Sequence, residues 1–154
     1  MCSSKLQLKS NSEQETFELG KRLGSLAYGG LAVLLCGGLG MGKTRLTQGI
    51  GNALGIKKIK SPTFIIVNEH NTEPPLIHAD LYRLETEREV DSLDLESYLD
   101  DGCLLVVEWS ERWKIIPVRD VLKIAFEQTD ENSRLITLEA LGDRAEKLLR
   151  EFAE

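Results

Sequence analysis

Residues 37–44 read Gly-Gly-Leu-Gly-Met-Gly-Lys-Thr and fill every constrained position of G-x-x-x-x-G-K-[ST]. The chemistry of that pattern is the binding of a nucleotide by its phosphates. Gly37, Gly38, Gly40 and Gly42 let successive backbone N–H groups turn inward around a phosphate chain, where a Cβ would obstruct them. Leu39 and Met41 lend their amides to the same cradle. Lys43 supplies a mobile cation for the β and γ phosphates, and the Thr44 hydroxyl is placed for Mg²⁺. Arg45 follows in the first turn of the helix that begins here, whose N-terminus adds partial positive charge. The plain alternative is a glycine-rich strand-to-helix turn carrying a surface lysine.

A phosphate loop alone hydrolyses nothing; phosphoryl transfer also needs a carboxylate near the metal and a group that positions water. Glu108 follows an apolar run, Cys103–Val107, as a Walker-B-type acid at the end of a buried strand would. Asp80 ends a second run, Leu76-Ile77-His78-Ala79-Asp80. On local grounds Glu108 also fits an ordinary strand-end acid and Asp80 a turn former. His78 shares a strand face with Asp80 and reads more readily as a hydrogen-bonded core histidine than as a catalyst. Trp109 either covers the nucleotide or packs. Ser61 and Thr63 lie after the phosphate-binding helix, where hydroxyls can sense a γ-phosphate or simply start a strand.

These groups need a scaffold. The run Leu31–Cys36 predicts a strand covered on both faces, and Leu46, Ile50, Ala53 and Leu54 predict the helix after the loop, stopped by Gly55. Upstream, Leu6 and Leu8 suggest an edge strand. Ser12 with Glu15 suggests a capping box, leading a helix through Leu19, Leu23 and Leu26 that ends at Gly29-Gly30. A strand around Ile65–Val67 should pair with Leu76–Asp80, and the acidic stretch from Thr86 to Asp101 should hold one or two short helices. Leu122, Ile124 and Phe126, then Ile136, Leu138 and Ala140, alternate with polar residues across the turn Asp130–Ser133 and predict an antiparallel hairpin. Asp143 and Glu146 are placed to cap a closing helix through Phe152. The fold class is α/β: a mixed, mostly parallel sheet flanked by helices, with a C-terminal hairpin and a closing helix.

Size and composition narrow the classes further. The 154 residues suit one domain spanning 1–154. A net charge of −6 argues against nucleic acid as the main direct partner. No apolar run approaches the roughly 20 residues that span a bilayer, and Met1–Leu6 lacks the apolar core of a secretory signal. Cys2, Cys36 and Cys103 show no metal spacing, so the chain reads as cytoplasmic. Neither Asn-Lys-x-Asp nor an Asp-x-x-Gly after the loop is present, which disfavours a Ras-like GTPase. The absence of Leu-Ser-Gly-Gly-Gln disfavours a transporter ATPase.

Taken together, the 37–44 loop, Ser61-Pro62-Thr63-Phe64, His78-Ala79-Asp80-Leu81-Tyr82-Arg83-Leu84 and Val107-Glu108-Trp109 closely resemble the bacterial TsaE (YjeE) family over about residues 12–140. That family is the small ATPase of tRNA threonylcarbamoyladenosine biosynthesis. The resemblance implies a P-loop NTPase fold that binds ATP with Mg²⁺ and hydrolyses it slowly. It also implies partner subunits TsaB and TsaD, which carry the modification of adenosine 37 in tRNAs reading codons that begin with A. tRNA would then be contacted only through those partners. By the same resemblance Lys43 and Thr44 hold phosphates and metal, Asp80 and Glu108 serve the metal and the water, and Trp109 lies beside the nucleotide. Ser61 and Thr63 look like part of a switch-type loop. Gly38 departs from the family pattern, in which many members carry Asp there.

Overall fold

The computed structural model describes residues 4–38, 40–59, 66–114 and 120–154. The uninterrupted apolar runs become the middle of a seven-stranded sheet. In chain order its strands are β1 (Ser4–Ser10), β2 (Ala32–Cys36), β3 (Val67–His70), β4 (Leu76–Asp80), β5 (Leu104–Glu108), β6 (Val121–Gln128) and β7 (Arg134–Leu141). Across the sheet they run β1-β7-β6-β2-β5-β4-β3. β2 is parallel to β5 and β6, and β5 to β4, whereas β3, β7 and β1 join their neighbours antiparallel. The hairpin predicted from alternation is β6–β7, and β1 lies at one edge.

Residues of alternate parity on the central strands serve two separate cores, as the two-residue period of a strand requires. Val33, Leu35, Leu76, Leu104 and Val106 face one side, against Leu23, Leu46, Ile50 and Phe152. These come from α1 (Glu13–Leu26), α2 (Lys43–Ala53) and α5 (Asp143–Ala153). Ala32, Leu34, Ile77, Leu105 and Val107 face the other side, against Val90, Leu95 and Leu99. Those belong to α3 (Glu87–Asp91) and α4 (Leu95–Asp100), into which the acidic stretch divides. Strands covered on both faces explain why β2 and β5 carry no polar alternation.

α1 and α2 touch backbone to backbone. A Cβ on Gly20 would stand 2.1 Å from the Leu46 carbonyl oxygen, and one on Gly49 would stand 2.1 Å from that of Phe17. This crossing fixes the helix that follows the glycine loop.

Three local details differ from the sequence expectation. α1 stops at Leu26 with Ala27 as its C-cap, before Gly29-Gly30 is reached. Ser12 does cap α1, accepting from the Glu15 N–H at 3.1 Å, but the Glu15 carboxylate returns to the N–H of Asn11. Neither Asp143 nor Glu146 caps α5. Its N-cap is Gly142, and the Asp120 carboxylate accepts from the N–H groups of Arg144 and Ala145 at 2.9 and 3.0 Å. A carboxylate from a distant position in the chain therefore takes the place expected for a local one.

Candidate functional site

The loop between β2 and α2 turns on backbone angles that favour glycine: φ is +140° at Gly37, +73° at Gly40 and +103° at Gly42. Gly37 also lies so close to β6 that a Cβ there would come within 3.0 Å of the Phe126 carbonyl oxygen. Gly42 is the N-cap of α2 and offers no side chain to the N–H groups of the first turn. A helix N-terminus left in this state favours an anion, through both its N–H groups and its dipole.

Lys43 is only 5% exposed. Its ammonium donates to the carbonyls of Gly37 and Gly38, the second at 3.1 Å, and sits 3.8 Å from the centroid of the Trp109 ring. Two carbonyl dipoles and an aromatic face thus satisfy a buried cation that has no direct ion pair among the described residues. Burial pulls the Lys43 ammonium below its ordinary pKa, while the charges of Glu111, Glu108 and Asp80 push it back up.

The acids reach the loop through strand register. Leu35 of β2 pairs with Glu108 of β5, and Glu108 pairs in turn with Asp80 of β4. Parallel strands deliver their carboxyl ends to one edge, which is where ligand sites in such sheets collect. Glu108 is 2% exposed and both its oxygens are engaged. Oε1 accepts the Thr44 hydroxyl at 2.9 Å, and Oε2 lies 2.5 Å from Nε2 of His78. Asp80 Oδ1 accepts the Tyr82 N–H at 3.0 Å. Burial raises the Asp80 carboxyl above its usual range. The Tyr82 N–H pulls it down, and the neighbouring Glu108 charge adds to the rise.

Trp109, the residue after Glu108, adopts φ 58° and ψ 42°, the left-handed region where a bulky side chain costs on the order of 1–3 kcal/mol. That turn swings the indole back over Lys43. Tyr82 packs against it with ring centroids 4.9 Å apart, and the Arg112 guanidinium lies 5.9 Å from both rings. Sequence reasoning missed Tyr82, Arg112 and Arg134, whose Nη2 donates to the Gly40 carbonyl at 3.3 Å. Of these only Tyr82 left a trace, through its place in the His78–Leu84 block.

These groups line a cleft of about 560 Å³. Gly40, Met41, Gly42, Lys43, Thr44, Arg45, Asp80, Glu108 and Trp109 all face it. Arg45 stands with its guanidinium 4.9 Å from the Phe17 ring and donates to Gln48 at 3.0 Å. Gly37 and Gly38 serve the site through the carbonyls that hold Lys43. Leu39, Ser61 and Thr63 lie outside the described residues.

Residues 10–136 match the family model described as threonylcarbamoyl adenosine biosynthesis protein TsaE. The chain belongs to the TsaE family. Among its relatives is the Streptomyces coelicolor tRNA threonylcarbamoyladenosine biosynthesis protein TsaE, 40% identical over 82% of this chain and 91% of that protein. The Bacillus subtilis protein of the same name is 35% identical over 96% of this chain and 94% of its own. The crystal structure of Bacillus subtilis YdiB superposes with a TM-score of 0.80 at 29% identity, covering 99% of this chain and 97% of the other.

In this TsaE-family chain the donor set suits a small hard cation only as part of a larger ligand. Among the described residues no group of three His, Cys, Asp or Glu side chains gathers to hold an ion alone. Thr44, Glu108 and Asp80 offer oxygen donors at the cleft edge, the kind Mg²⁺ accepts when phosphate oxygens complete its shell.

Proposed function

We propose that this chain is a magnesium-dependent ATPase of tRNA threonylcarbamoyladenosine biosynthesis. In this reading its 154 residues form a single domain that acts in the cytoplasm as an assembly or reset switch on a TsaB–TsaD-type complex. The observation that carries the reading is the bond from Thr44 to Glu108 beside the buried Lys43, at the uncapped start of α2. The names borne by the relatives point to the same pathway. With a net charge of −6 the chain leaves tRNA contact to its partners, and no described helix is long and apolar enough to cross a membrane.

Each side chain has a task that follows from its setting. The amides of the 37–44 loop and of the first turn of α2 receive the phosphate oxygens, and Lys43 exchanges carbonyl partners for them. Magnesium, when bound, draws negative charge from the phosphate oxygens, and Thr44 and Glu108 would hold it. Asp80, whose carboxyl is raised by burial, orients the attacking water and takes its proton at a carboxylate oxygen. Water oxygen bonds to the γ phosphorus, the bond to the bridging oxygen breaks, and ADP and inorganic phosphate result. Trp109 and Tyr82, packed on each other, wall that end of the cleft. Loss of the γ-phosphate would release the segment containing Ser61 and Thr63.

The deciding experiment compares ATP binding and turnover in the parent, Lys43→Ala and Glu108→Ala proteins. Lys43→Ala should lose binding, and Glu108→Ala should bind ATP yet not hydrolyse it. Unchanged turnover in Lys43→Ala overturns the reading. Sustained multiple-turnover modification by the complex with a non-hydrolysable ATP analogue would make the chain a nucleotide-dependent binding module. Phosphate transfer to a nucleoside in place of water would make it a kinase.

A further inference from the structure

His78 is fully buried, at 0% exposure, in the middle of β4. Its Nε2 lies 2.5 Å from Glu108 Oε2, across the 30 residues that separate the two in sequence. Its other ring nitrogen, Nδ1, is buried with no hydrogen-bond partner among the described residues. The two nitrogens are therefore unequal. An ionised carboxylate only accepts, so the proton on this ring belongs on Nε2. Nδ1 then carries a lone pair, and a buried acceptor without a partner is better tolerated than a buried N–H without one.

The consequence for Glu108 is geometric. The Thr44 hydroxyl fixes one carboxylate oxygen and His78 fixes the other, so the carboxylate plane cannot rotate about its terminal bond. A terminal carboxylate torsion is otherwise broad. His78 has no place among the residues lining the cleft, so it does not meet a ligand there. Its hydrogen bond to the site is the one to Glu108.

We infer that His78 is a positioning residue: by donating from Nε2 to Glu108 Oε2 it aims the remaining lone pairs of Glu108 at the metal side of the cleft. This rests on the ATPase reading above. Ligand-holding carboxylates commonly need such a partner, and removing one costs roughly 10- to 100-fold in metal affinity or activity.

The test uses the full chain with three substitutions at one position, reading ATP affinity with and without magnesium, MgATP turnover and melting temperature. His78→Gln places an amide N–H near the former Nε2, His78→Asn places it near the former Nδ1, and His78→Phe fills the space with no donor. His78→Phe and His78→Asn should lose roughly 10- to 100-fold of kcat or of the affinity gained on adding magnesium. ATP affinity in EDTA should change by less than about twofold, and His78→Gln should recover most of the loss. A purely structural role predicts instead that activity follows melting temperature across the three, with no advantage for Gln, and that pattern overturns the proposal. So does parent-like magnesium-dependent affinity in His78→Phe. Should that variant fail to fold, the Gln and Asn pair decides alone. A parent protein that binds no ATP refutes the ATPase reading itself, and this proposal with it.

Discussion

Among the described residues two helices start from glycine, at the same φ of +103°, and their first turns meet opposite fates. α5 begins at Gly142, and the protein supplies its anion: the Asp120 carboxylate accepts from the N–H groups of Arg144 and Ala145. α2 begins at Gly42, and no side chain among the described residues caps it. In place of a carboxylate, that end carries a buried ammonium, Lys43, resting on backbone carbonyls and an indole. The fold completes one helix from within and leaves the other to be completed from outside. An open N-terminus backed by a desolvated cation is a costly way to begin a helix, and it makes sense as a binding device.

The contrast can be broken at several points. The largest effect should come from Lys43→Ala, with ATP affinity falling at least about 100-fold, some 2.7 kcal/mol. Its melting temperature should hold or rise, since a buried ammonium is lost. Calorimetry with a parallel thermal melt checks both. In the parent, ATP with magnesium at about 100 times its dissociation constant should add about 2.7 kcal/mol of stability, and Lys43→Ala should show no such gain. Asp120→Ala should behave the other way round. It should lose about 0.5–2 kcal/mol in a urea titration, the usual worth of a helix cap, while ATP affinity stays unchanged. If Asp120→Ala weakened ATP binding, the two helix ends would not be independent.

The smallest expected shift in stability concerns Asp80. Burial holds its carboxyl above the usual range, so its contribution to stability is greatest below the ordinary aspartate pKa and is lost as pH rises through the raised value. Asp80→Asn escapes that loss. The variant should melt higher than the parent at neutral pH, with the gap closing as pH falls toward about 4, and it should not turn over ATP. An equal gap at both pH values would remove burial as the cause.

Much of this architecture was legible because its signals are local. The apolar runs around β2 and β5 announced strands buried on both faces, and a parallel arrangement of those strands was enough to bring Glu108 to the loop. The alternation in β6 and β7 gave the hairpin. What escaped depends on contacts between residues far apart in the chain. Asp120 caps a helix more than twenty residues downstream, and nothing in its neighbours marks it. The left-handed turn at Trp109 has no glycine to signal it, so the indole over Lys43 was invisible. From sequence His78 reads as a hydrogen-bonded core histidine, and it is one: it is buried and bonded to Glu108. What its neighbours in sequence do not mark is that this partner is an acid of the cleft, and that its second nitrogen has no partner among the described residues.

The crossing of α1 and α2 at Gly20 and Gly49 leaves no side-chain cushion between the two backbones. Helices in such contact cannot slide past one another by repacking side chains. A ligand seated against the first turn of α2 would bear on both helices at once, since Glu13 and Thr16 of α1 line the same cleft.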